Sequence, residues 1–110
     1  MRPFALFHIP NSHYFQARSN YKVEYKINSL RFRGPEISKK GNKFRLLVIG
    51  DSFVEGHGCD FAGTFSFLLN ESLCESGWEA LNVGMQGASP IVYACNIDRY
   101  LALEPDAALI

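Results

Sequence analysis

Charge imbalance, long apolar runs and paired cysteines are all missing from this chain. Eleven basic residues stand against eleven acidic ones, which removes the electrostatic case for a nucleic-acid partner or an anionic membrane surface. No apolar run approaches the ~18 residues of a transmembrane helix, so no membrane span is expected. Cys59, Cys74 and Cys95 are an odd count without metal-ligand spacing and read as small buried or half-buried side chains. Gly56-x-Gly58 lacks the continuation and the Lys-Ser/Thr of a nucleotide-binding loop. Internal repeats and low-complexity tracts are missing too. The stretch from Met1 to Pro10 has too short an apolar segment, broken by prolines, to read as a signal peptide.

What is present suffices for one small domain: 110 residues, 47% of them hydrophobic. Met1 to Asn20 reads as irregular. Tyr21 to Ile27 alternates apolar and charged residues, as a half-exposed strand does. The basic residues from Lys22 to Arg45, including Arg31, Arg33, Lys39, Lys40 and Lys43, read as a solvated linker face. Turn composition at Gly34-Pro35 and from Ser38 to Asn42 sets a soft boundary: an N-terminal extension and linker over 1–43, then an α/β core over 44–110.

The core opens with Phe44-Arg45-Leu46-Leu47-Val48-Ile49 and stops at once on Gly50-Asp51-Ser52. A continuous apolar run of this length suits a parallel strand covered on both faces. Ala62 to Glu75 reads as a helix, with Phe61, Phe65, Leu68, Leu69 and Leu73 at helical spacing, Asp60 or Thr64 near its start and Gly77 past its end. Trp78 to Val83 is a second strand, with Trp78 as core or edge packing. Ser89-Pro90 opens a second helix as cap and first helical residue, its apolar face carrying Ile91, Ala94, Cys95 and Leu101. Pro105 ends that helix, and Ala107 to Ile110 begins a third strand. Right-handed crossovers then imply a parallel sheet, with the second and third strands on opposite sides of the first.

In such sheets chemistry gathers past the carboxyl ends of the strands. Ser52 stands there as a candidate nucleophile, although serine also simply favours turns. Asp51 beside it is read as structural support through nearby loop amides. His57 reads as a loop or rim histidine, and His8 and His13 have no partner pattern.

Three stretches resemble the GDSL/SGNH hydrolase family. Val48 to Gly58 is similar to its first block, with the serine in Gly50-Asp51-Ser52. Leu81-Asn82-Val83-Gly84-Met85-Gln86-Gly87-Ala88-Ser89 is similar to its second block. Tyr25 to Glu36 resembles a leader found ahead of the first block in some members, whose usual form has glycine where this chain has Arg31. The resemblance implies a three-layer flavodoxin-like parallel sheet and a serine hydrolase of esterase, lipase or carbohydrate-deacetylase type. It makes Ser52 the nucleophile and the Ser52 and Gly87 amides the oxyanion hole, with Gly84 a tight-turn glycine. It implies a small-molecule or carbohydrate ester as substrate, and neither a metal nor an organic cofactor.

The family's third block, Gly-x-Asn-Asp, and its last, Asp-x-x-His, do not occur in the chain. The expectation is the front part of a larger enzyme, inactive alone because the base that takes the serine proton lies elsewhere. An acyltransferase on the same fold, a binding domain that keeps the fold without catalysis, and a flavodoxin-like nucleotide binder are the competing readings. The downstream blocks separate the enzyme from the binding domain, and FMN or nucleotide binding tests the last.

Overall fold

The computed structural model describes residues 8–110. The readings of Met1–Phe7 lie outside them. The alternation of Tyr21 to Ile27 produces a strand, β2 (Tyr21–Lys26), with Val23 and Tyr25 buried beneath exposed Lys22, Glu24 and Lys26. Its antiparallel partner is β1 (His13–Arg18), paired from His13↔Lys26 to Arg18↔Tyr21. The irregular reading of this stretch is thereby corrected. Most of β1 faces solvent, so it carries none of the apolar alternation by which a half-buried strand shows itself.

Leu46 to Ile49 behaves as its composition dictates. The strand β3 (Phe44–Val48) lies at the centre of a parallel sheet, between β4 (Trp78–Asn82) and β5 (Ala107–Leu109), in the order β4-β3-β5. The fold is therefore α/β, and the second and third core strands flank the first as expected. Leu47, Ile49, Val83 and Met85 enter one apolar core. Trp78 stacks on Phe44 at the start of the paired strands, 5.1 Å between ring centroids.

The helices depart from the simplest reading of the sequence. After β3, α1 (Ser52–Glu55) forms a single turn. The helix expected over 62–75 is divided. A 3₁₀ turn, Phe61–Gly63, precedes Thr64, whose extended backbone and hydroxyl cap α2 (Phe65–Leu73) by accepting from the Phe67 amide; a second 3₁₀ turn, Cys74–Ser76, ends on left-handed Gly77. Phe65 and Leu68 are exposed, while Ser66 is the buried residue of α2 and Asn70 accepts the Ala80 amide of β4 at 2.8 Å. Of the apolar positions expected on this face, Phe61, Leu69 and Leu73 are half-buried, while the fully buried and hydrogen-bonded contacts come from the small polar side chains Ser66 and Asn70.

The last helical stretch starts at Ser89 and Pro90 as expected, although the Ser89 hydroxyl makes no capping bond. It breaks into α3 (Pro90–Cys95) and α4 (Ile97–Leu101) at Asn96, whose buried amide group donates to the Val92 carbonyl at 2.8 Å. The buried stripe is Val92, Asn96, Tyr100 and Leu103. Ile91, Ala94, Cys95 and Leu101, the face expected, are exposed. A polar residue in the middle of the true stripe hid its period.

The basic segment is also corrected in part. Arg33 and Arg45 are buried, not solvated. Arg45 pairs with Glu79 and donates to the carbonyls of Leu103 and Ser38. Phe32 joins the core of the parallel sheet. Cys74 and Cys95 are exposed and Cys59 half-buried, all three free. No helix among the described residues is long and apolar enough to cross a membrane.

Candidate active site

The strand ladder of β3 and β4 continues past both strands. Val83 N–H donates to the Val48 carbonyl at 3.1 Å, and Met85 N–H to the Gly50 carbonyl at 3.0 Å. Ser52 and Gly87 each lie two residues beyond that last bond, on loops opening at the same edge of the sheet. Close approach of the loops requires Gly84, because a β-carbon there would sit 2.5 Å from the Glu55 nitrogen.

Asp51 caps α1: its Oδ1 accepts the Phe53 amide at 3.0 Å. That places Ser52 in the first helical position, half-buried, where its own amide has no intrahelical partner. On the second loop the Ala88 amide donates to the Met85 carbonyl at 3.0 Å, closing a turn in which Gly87 has φ 78°. A positive φ at the third position marks a type II turn and favours glycine. Neither the Ser52 nor the Gly87 amide has a hydrogen-bond partner among the described residues.

No described residue hydrogen-bonds the Ser52 hydroxyl either. His57 is exposed, with Nδ1 3.0 Å from Gln16 Nε2 and Nε2 3.4 Å from the Tyr21 hydroxyl. Its ring therefore engages the N-terminal hairpin, in keeping with a rim position. Ser52 borders a cavity of about 310 Å³ together with Phe53, His57, Cys59, Gly63 and Phe65. Phe53 is 88% exposed beside the serine.

Several residues around the site escape a reading by motif. Glu55, one turn after Ser52, is wholly buried; its Oε2 accepts from the Gln86 amide at 3.1 Å and from His8 Nε2 at 2.9 Å. His8 thus has the partner its sequence context did not reveal, as does His13 on Glu24. Arg33 donates to the carbonyls of Glu55, Gly56, Glu24 and Cys59 at 2.7 to 3.0 Å, with its guanidinium 3.9 Å above the Tyr25 ring. Burial, reinforced by the Glu55 charge, pushes the Tyr25 phenol up to about 12. Burial also raises the Tyr93 phenol on α3, and the Asp51 charge adds to it, which places Tyr93 within electrostatic reach of the serine loop. The spacing Ser52-x-x-Glu55 is a signal for Glu55, but it reads as a capping box; Asp51 is the actual cap.

No cluster of metal-ligating side chains occurs among the described residues. Comparison of the chain with family models, with curated proteins and with solved structures returned no match.

Proposed function

We propose that the chain carries the nucleophile and part of the oxyanion hole of a serine ester hydrolase. The observation that supports this reading best is the pair of unpartnered amides, Ser52 and Gly87, beyond the ends of two neighbouring parallel strands. Ser52 Oγ attacks the acyl carbonyl, and the negative charge that develops on the carbonyl oxygen is met by the two N–H groups. Asp51 holds the serine turn and takes no proton. The sheet order suits the front of a flavodoxin-like sheet of SGNH type, which agrees with the motif resemblance.

Chemically the site is incomplete. A serine hydroxyl needs a base, and the described histidines are engaged elsewhere: His8 on Glu55, His13 on Glu24, His57 on Gln16 and Tyr21. In this reading a histidine and its orienting carboxylate come from polypeptide outside these residues. The same serine with water excluded would give acyl transfer, and a chain without any base would be a binding domain.

The test is hydrolysis of p-nitrophenyl acetate by the 110-residue piece, by the intact protein, and by Ser52→Ala in each. The piece is expected to turn over poorly or not at all. In the intact protein Ser52→Ala should lower kcat by about 10⁴ or more. Undiminished activity of that variant would remove the serine-hydrolase reading. Robust Ser52-dependent turnover by the piece would locate a base within it.

A further inference from the structure

We propose that Glu55 is a positioning residue that sets the Gly87 amide against Ser52, with His8 as its anchor. The proposal rests on the ester-hydrolase reading. Glu55 shares the single turn of α1 with Ser52, so its backbone moves with the nucleophile. Its side chain crosses to the other loop and takes the amide of Gln86, the residue before Gly87. One carboxylate oxygen thus ties the serine turn to the loop that presents the second oxyanion donor.

The carboxylate has no exposed surface; Oε2 takes both of its hydrogen bonds, while Oε1 has no partner among the described residues, so the tie runs through a single oxygen. His8 donates to the same Oε2 that receives Gln86, while Tyr14 lies 3.4 Å from the other His8 ring nitrogen. Arg33 supplies positive charge to the same buried cluster and grips the Glu55 carbonyl. Both loops are therefore braced from beneath by the segment that precedes β3. An oxyanion donor works only when it is fixed before the charge develops, and among the described residues the Gly87 turn is bonded to the serine loop only through Met85 and Gln86.

Amide hydrogen exchange and steady-state kinetics on the intact protein test this together. In Glu55→Ala the Gln86 amide should exchange about tenfold faster, the effect of losing its one hydrogen bond, while Leu47 and Leu81 in the sheet stay protected. His8→Ala should speed the same amide by a smaller factor. Ester hydrolysis by Glu55→Ala should lose about tenfold in kcat with KM unchanged, because the donor acts on the developing oxyanion. Glu55→Gln keeps a carbonyl oxygen for Gln86 and should restore most of both. Unchanged exchange at Gln86 in a folded Glu55→Ala protein would overturn the proposal, as would equal loosening of the whole sheet. If Glu55→Ala does not fold, a Glu55→Gln protein with a loosened Gln86 amide but wild-type kcat overturns it. Turnover that ignores Ser52→Ala would instead defeat the hydrolase reading, and the exchange data would still judge the tie.

Discussion

The parallel sheet and the stretch ahead of it lean on different contacts, although Val23, Tyr25 and Ile27 form a small apolar cluster in the second and Arg45 is buried against Glu79 in the first. From Phe44 onward the chain buries apolar side chains: Leu47, Ile49, Val83, Met85, Val92 and Leu103 meet in one core. Ahead of Phe44 the decisive group is a charge, the Arg33 guanidinium, buried among four backbone carbonyls and an aromatic ring. Apolar burial is non-directional and tolerates exchange of one large side chain for another. A guanidinium fork aimed at several carbonyls fixes the path of each, and three of the four, Glu55, Gly56 and Cys59, belong to the loop after Ser52. The sheet places the serine at an edge, and the arginine shapes the loop around it.

That contrast can be broken. Arg33→Ala should destabilise the protein by about 3–5 kcal/mol, since buried carbonyls lose their donors together and Tyr25 loses its stacked partner. Arg33→Lys should recover less than half of this, because an ammonium keeps the charge but lacks the planar fork. Leu47→Ala in the sheet should cost about 2–4 kcal/mol. Urea unfolding measures all three. An Arg33→Lys protein as stable as the wild type would show that charge alone suffices and erase the contrast.

Alkali separates the regions more gently. Tyr25 has a folded pKa of about 12 against an ordinary value of 10.0, so folding favours the neutral phenol. Its contribution is complete below pH 10 and is lost as pH rises from 10 toward 12. Unfolding free energy followed across that window should decline, and Tyr25→Phe should flatten the decline. Tyr14 and Tyr100, also raised by burial, should leave a residual slope. An equal slope in both proteins would show that the hairpin does not shield the phenol.

The smallest expected effect concerns Arg31, which adopts φ 74°. A side chain in that region costs about 1–2 kcal/mol, offset in part by the greater backbone entropy of an unfolded glycine. Arg31→Gly relieves that strain but also removes the side chain's contacts, so stability should move by only a few tenths of a kcal/mol, read from the urea midpoint at constant slope. The resemblance had marked this position as the one departing from glycine, and its positive φ gives that departure a physical meaning.

The sheet was legible because its signal is compositional. Leu46 to Ile49 is apolar without interruption, and Gly50 follows directly; strands, order and the serine's edge all come from such runs and from the chirality of crossovers. The Thr64 cap and the Ser89-Pro90 start were legible for the same local reason. The buried faces of α2 and of the last two helices were not, because Ser66 and Asn96 occupy core-facing positions and interrupt the apolar count. Arg33, Glu55 and His8 were hidden for a different reason. Charged side chains are usually solvated, and their burial here depends on partners 9 to 47 positions away. Ser52, Asp51 and Gly87 could be picked out by motif, whereas the groups that brace them have meaning only once the chain has folded back on itself.

The order β4-β3-β5 has a kinetic consequence. The strand that leads into Ser52, β3, is the first of the three to be synthesised, and neither neighbour is near it in sequence: Leu46 pairs with Ala80 on one side and with Ala107 on the other. Each pairing must close a long loop before it returns any stabilisation. Until then Leu46 to Ile49 is an unpaired apolar segment of high strand propensity, the kind that joins other chains. Refolding at micromolar concentrations should accordingly be slow and its yield should fall with protein concentration, with β3, the strand ahead of Ser52, as the point where the competition between folding and association is decided.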